Sequence, residues 1–236
     1  MSEEQSIKLG GMALANGVLV HGPRHWSCAV RTEDGELKVA GGLKPLRSVD
    51  VRNRLARGPA RVAEIFALLP EVRRRLPEAK LPFQRPGVVG AMAGSMVAIQ
   101  AVRRTRLSPL AQESAAAVLA LGPAIVALRG TALAEYHGAE HISIGSYEHG
   151  SPRTREHERC GSHMIGPLLA TTVVGSALSA RAPKRLRPAA RLAAGVGAVA
   201  AATEVFSWMV ANERHPLARA LARPGHELQQ RLVTAE

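Results

Sequence analysis

The chain is poor in aromatic residues, in cysteine and in acids. Phe, Trp and Tyr together make up 3% of its 236 residues, so the stacking platforms that hold single-stranded nucleic acid have little to be built from. Two cysteines, Cys28 and Cys160, are too few for a disulfide framework, and a reducing compartment is expected. The opening residues, MSEEQSIKLGG, lack the basic and apolar regions of a secretory signal, so no export is expected. Asp and Glu number 19 against 31 Lys and Arg, a formal charge of +12. Such an excess favours an anionic partner, although arginine enrichment in a high-GC genome accounts for it equally well. No zinc-finger, RRM or KH signature accompanies it, which ranks a membrane lipid surface above nucleic acid.

What is abundant is small and apolar. Ala, Val, Leu and Gly dominate, a composition suited to closely packed helices in water or in lipid. Four apolar segments stand out, at roughly 87–102, 115–128, 164–180 and 192–211. A perpendicular span takes about 20 such residues, so only the last reaches that length and the first three are marginal. Gly90 and Gly94 form a GxxxG pair, and Gly122-Pro123 and Gly166-Pro167 interrupt two segments, features that membrane bundles tolerate. The basic linker RAPKRLRPAAR, 181–191, and the basic N-terminal region both fit a cytoplasmic side, yet four full spans would put the two on opposite sides, with three of them in between.

Before these segments, LGGMALANGVLVHGPRH (9–25) holds four glycines, a shaped loop or short strand whose backbone approaches something closely. Trp26–Arg31 and Glu36–Ala40, around Asp34-Gly35, read as a β-hairpin. From Val49 to Leu81 the chain is basic and helical in period, with Val62, Ile65, Phe66 and Leu69 on one stripe. That helix would pack on the protein or lie on a membrane. The sequence thus divides into 1–86, with the Gly-rich loop, hairpin and basic amphipathic helix, and 87–236, the apolar helical region.

The chemistry gathers in one polar island, YHGAEHISIGSYEHGSPRTREHERCGSH (136–163). In HGAEH, His137 and His141 are spaced i, i+4, so a helix presents both on one face to a single metal ion, with Glu140 flanking them. An inverted zinc-protease motif uses such a glutamate as general base. Glu148, His157 and Cys160 compete to complete the ligand shell. Arg159, always protonated, suits an anionic group or a carboxylate. Glu204 stands alone in an apolar helix, where it must be neutral, paired with a cation or bound to a metal; a place near the histidines is expected. His149, His163, His21 and His25 individually read as bystanders.

The blocks GGMALANGVLVHGPRHWSCAVRTEDGEL, LPFQRPGVVGAMAGSMVAIQAV, YHGAEHISIGSYEHG and HERCGSHM, with the closing TEVF and RPGHELQQRLVTAE, resemble the bacterial DUF1385 (YqhQ-like) proteins over nearly the whole chain. The resemblance implies a multi-pass protein of the cytoplasmic membrane, a metal-dependent activity without a known reaction, and functional roles for His137, Glu140, His141, Glu148, His157, Arg159, Cys160 and Glu204. Asn16 stands where those proteins typically carry a glutamate, and Ile142 where a lysine usually follows YHGAEH.

The sequence therefore predicts a mainly α, multi-helix bundle, membrane-embedded or membrane-attached, with a small N-terminal β-hairpin element. The expected activity is metal-assisted hydrolysis of an unknown substrate. A divalent metal, zinc first, would be held by His137, His141 and one of Glu148, His157 or Cys160, with Glu140, Arg159 and Glu204 as catalytic groups. The rivals are a non-catalytic membrane protein with a structural metal or partner-binding site, and a basic adaptor that brings a nucleic-acid or ribosomal partner to the membrane. The sequence sets no oligomeric state.

Overall fold

A computed structural model describes residues 7–129, 132–157 and 159–230. Four strands come first: β1 (Gly10–Leu14), β2 (Gly17–His21), β3 (His25–Arg31) and β4 (Leu37–Leu43), paired antiparallel in sequence order. The expected hairpin is β3–β4, turned at Gly35 with φ +83, a left-handed conformation that glycine adopts freely. The glycine-rich stretch before it forms a second hairpin, so the element is a full sheet. Asn16, in the β1–β2 turn, donates through Nδ2 to the carbonyls of Arg31 and Glu78 and accepts the Lys80 amide at 2.9 Å. A glutamate has no N–H to make the first two bonds.

The sheet is two-faced because its side chains alternate. On one face Leu14, Leu19, Trp26, Cys28 and Val30 meet Leu68, Leu69 and Val72 of α1 (Arg54–Arg75) in the main apolar core. Helix α1 starts at Asn53, whose side chain accepts the Leu55 and Ala56 amides, an N-cap that relieves two orphan donors. Its buried face is rotated from the stripe the sequence suggests. Val62 and Phe66 are 45% and 62% exposed, while Glu64 is buried. Glu64 turns inward because it is ion-paired with the buried Lys44 and accepts the Ser48 amide; a buried charge survives only when so satisfied.

The rest of the described chain is helical: α2 (Pro86–Arg103), α3 (Pro109–Leu119), α4 (Gly122–Leu128), α5 (Ala132–His149), α6 (Ile165–Ala180), α7 (Arg187–Ala211) and α8 (Pro216–Leu228). Proline sits at the first or second position of α2, α3, α4, α7 and α8, where its missing N–H costs no hydrogen bond and its fixed φ suits a helix start. Three segments are long and apolar enough to cross a membrane: Leu110–Leu128, Gly161–Ala180 and Lys184–Ala211. The first two exceed their apolar runs because helical residues at their ends add length. Their length and composition suit association with a membrane.

Two antiparallel hairpins result. Helix α2 runs away from the sheet and α3–α4 returns, with Arg85 donating to the Ala127 carbonyl at the near end and Arg103 paired with Glu113 at the far end. Helices α6 and α7 repeat the pattern, with Thr171 Oγ1 donating to the Ala198 carbonyl at 3.0 Å. The turns 104–108 and 181–186 thus lie away from the sheet, whereas α5 packs on β1 and β2.

Candidate metal centre

Helix α5 lies across the sheet face opposite α1 and carries His137, Glu140 and His141 toward β1. One turn separates the histidines, and their rings meet edge to face with centroids 4.4 Å apart. Cys160 arrives from the loop before α6, where it caps a short 3-10 turn by accepting the Ser162 amide. Its Sγ is 3.4 Å from His137 Nε2. Ligand atoms of His137, His141 and Cys160 all lie within 4.8 Å of one another.

That donor set fits a divalent metal. With Zn–N near 2.0 Å and Zn–S near 2.3 Å, two ligands at a tetrahedral angle stand roughly 3.5 Å apart, close to the 3.4 Å between Nε2 and Sγ. His141 Nδ1 donates to the Arg155 carbonyl at 2.5 Å, which leaves Nε2 with a lone pair, the orientation that supports a metal ligand. Burial, then the neighbouring His141, pushes the His137 imidazole down to about 4. Burial also lowers His141, so both rings are neutral donors at pH 7. Burial raises the Cys160 thiol; a metal reverses that by taking the thiolate.

Glu140 is buried beside these groups. Its Oε2 has no hydrogen-bond partner among the described residues, and burial lifts its carboxyl to about 8 against the opposing hydrogen bond from the backbone of Ala13. The sheet is shaped for it. A Cβ at Gly11 would stand 2.4 Å from Glu140 Oε1, a clash that no rotamer change at residue 11 could relieve.

The two remaining ligand candidates are occupied otherwise. Glu148 ion-pairs with Arg159 and accepts the Leu9 amide at 2.9 Å; burial works against its charge, but these partners prevail and hold its carboxyl below the usual range. His157 Nδ1 accepts the Arg159 amide at 3.2 Å, which puts the ring proton on Nε2, 3.8 Å from Glu148. Its ring lies 5.7 Å from that of His141. The fully buried Gln229, past α8, holds this loop from behind through the His157 backbone and the Ser162 hydroxyl.

Glu204 is placed elsewhere. Both its oxygens accept from Arg57 Nη2, at 2.8 and 3.0 Å, in the contact where α1 crosses α7. Gly58 permits that crossing, since a Cβ there would lie 2.6 Å from Thr203 Oγ1. Of the three environments open to this carboxylate, pairing with a cation is the one adopted.

A cavity of about 390 Å³ opens onto the cluster. His137, Glu140, His141, His157, Arg159 and Cys160 line it, together with Leu9, Gly10–Ala13 of the first strand and His21. Sequence reasoning missed the strand's part in the site and treated His21 as a bystander. The doubled glycine at 10–11 was the available signal. His149 bonds its own helix, with Nδ1 2.9 Å from the Gly145 carbonyl, and His163 is buried against Gln229.

Residues 131–236 match the family model of DUF1385, proteins of unknown function. The match covers α5 to α8 and thus every candidate site residue, but a smaller part of the chain than the resemblance read from the sequence blocks. The sheet residues Gly11 and His21 lie outside the DUF1385 match. No curated protein and no solved structure matches the chain.

Proposed function

We propose that this protein is a membrane-associated member of DUF1385 with a divalent metal, zinc first, held by His137, His141 and Cys160, and that it carries out metal-assisted hydrolysis of an amide, ester or phosphoester. The observation that carries the reading is the three-donor cluster at the wall of a cavity, next to a buried carboxylate with an unsatisfied oxygen. Three protein ligands with space beside them is the arrangement of catalytic zinc sites, whereas structural sites close with four. Because Glu148 and His157 are engaged with Arg159, neither closes the shell, and this favours the enzyme over the structural-metal rival.

A bound metal would supply Lewis acidity at the inner end of the cavity. Glu140, poised near neutral pH, is the group to take up a proton there and return it to the leaving group. The amide of Leu9, the Arg159 guanidinium and the Arg155 carbonyl keep Glu148 and His141 in place. Glu204 supports the α1–α7 contact through Arg57 and stands outside the cavity lining. In this reading the segments 1–86 and 87–236 work as one unit, since the first strand walls a cavity whose ligands come from the second.

The test is metal content by elemental analysis of protein purified from membranes in detergent. Wild type should retain zinc or a similar ion, and His137→Ala, His141→Ala and Cys160→Ala should each lower it sharply. A wild type without metal after loading with zinc would remove the centre.

A further inference from the structure

His21 lies in the wall of the cavity, across the end of β1 from the metal cluster. Its backbone neighbour in the sheet is Gly10, and its ring occupies the space a side chain would need there: a Cβ at residue 10 would stand 2.9 Å from both Cε1 and Nε2. The other edge of the ring faces an ion pair. Lys44 and Glu64 are almost fully buried and in direct contact. Lys44 Nζ also reaches the Gly22 carbonyl at 2.8 Å and His21 Nδ1 at 3.3 Å.

An ammonium has three N–H donors and no acceptor. A Glu64 oxygen, the Gly22 carbonyl and His21 Nδ1 surround it, and Nδ1 completes the set by presenting its lone pair to the ammonium. A neutral imidazole then carries its proton on Nε2, and Nε2 has no hydrogen-bond partner among the described residues. The His21 ring is neutral, because burial and then the Lys44 charge oppose protonation and outweigh the Gly22 backbone contact that favours it.

We infer that His21 is a substrate-binding residue, which donates its Nε2–H to an oxyanion of the substrate inside the cavity, and that Lys44 and Glu64 are positioning residues that hold the proton on that nitrogen. A buried ion pair stabilises little by itself after desolvation; fixing a tautomer beside a cavity gives it a purpose. Arg159 lines the same cavity, so two donors face the bound group. The ligand class is an anionic oxygen compound such as a phosphate or a carboxylate. The inference rests on the proposed site for its place in a reaction, but the tautomer and the anion position stand without a metal.

The experiment uses the full chain in detergent, labelled with 15N-histidine, first free of metal and then loaded with zinc. The metal-free spectrum should show His21 as the Nε2–H tautomer, and titration with inorganic phosphate should shift its Nε2 signal. His21→Phe should weaken phosphate binding by about 10- to 100-fold, as expected for a hydrogen bond to a charged group, with metal content unchanged. Lys44→Met combined with Glu64→Gln keeps an acceptor for the Ser48 amide and should mix the tautomers with a smaller loss. Competition by short-chain phosphatidic acid supports a lipid source of the oxyanion, and its failure to compete with bound phosphate supports a soluble one. An Nδ1–H tautomer, or phosphate binding unaltered in His21→Phe, overturns the inference; loss of the metal reading with the Nε2–H tautomer intact does not.

Discussion

Gly11 and Glu140 are in contact across the interface between the first strand and α5, with no room for a side chain between them: a Cβ at residue 11 would sit 2.4 Å from the carboxylate oxygen. The strand backbone therefore sets the depth at which the carboxylate stands beside the histidines.

Gly11→Ala should drive Glu140 from this position. Overpacking of this kind costs about 1–3 kcal/mol, read as a lower unfolding midpoint by circular dichroism in detergent. Gly87→Ala is the control, since nothing lies within 4 Å of a Cβ there and α2 should tolerate it or gain slightly. Equal losses in both variants would mean that the first strand does not constrain Glu140.

Acid sensitivity follows from His21. Its imidazole is held at about 4 by burial and by Lys44, against an ordinary 6.5. Below pH 6.5 the unfolded chain takes up a proton that the folded chain refuses until about pH 4, so stability is lost as pH falls through that window. The loss approaches about 1.4 kcal/mol per pH unit for one such group. His137, also held at about 4, adds a loss of the same sign in metal-free protein. Unfolding free energy measured against pH in chelator should fall less steeply for His21→Asn than for wild type, by about one proton. Identical slopes would place His21 in an exposed setting.

The Arg57–Glu204 pair should matter to docking and not to metal. Both side chains are about one-third exposed, so solvent screening limits the pair to about 1 kcal/mol or less. Glu204→Gln and Arg57→Ala should each lower stability modestly, couple in a double-mutant cycle, and leave metal content as in wild type. Metal loss in Glu204→Gln with Arg57→Ala unaffected would bring Glu204 back among the ligands.

The helical period made His137 and His141 legible, because spacing alone places them on one face once α5 is a helix. The choice among Glu148, His157 and Cys160 was not. It depends on the loop from 150 to 160, where Arg159 engages Glu148 by its side chain and His157 by its amide. Local pattern carries no record of such competition. Glu204 finds its cation 147 residues away in sequence, and a lone acid in an apolar run cannot point to it. The face of α1 was misjudged for a related reason. A polar Glu64 reads as solvent-facing until Lys44, from the end of the sheet, neutralises it, and the helix then turns Val62 and Phe66 outward. The glycines at 10–11 did announce a close approach, though not that Glu140 was its object.

The two helical hairpins turn at the end of the bundle away from the sheet. Every segment that builds the cavity, from the first strand through α5 to the loop at Cys160, therefore lies at the same end of the bundle. If the hairpins cross the bilayer, the proposed centre loads its ion and admits its substrate from the aqueous phase on the sheet side, and a probe confined to the other side meets the arginine-rich turns 104–108 and 181–186.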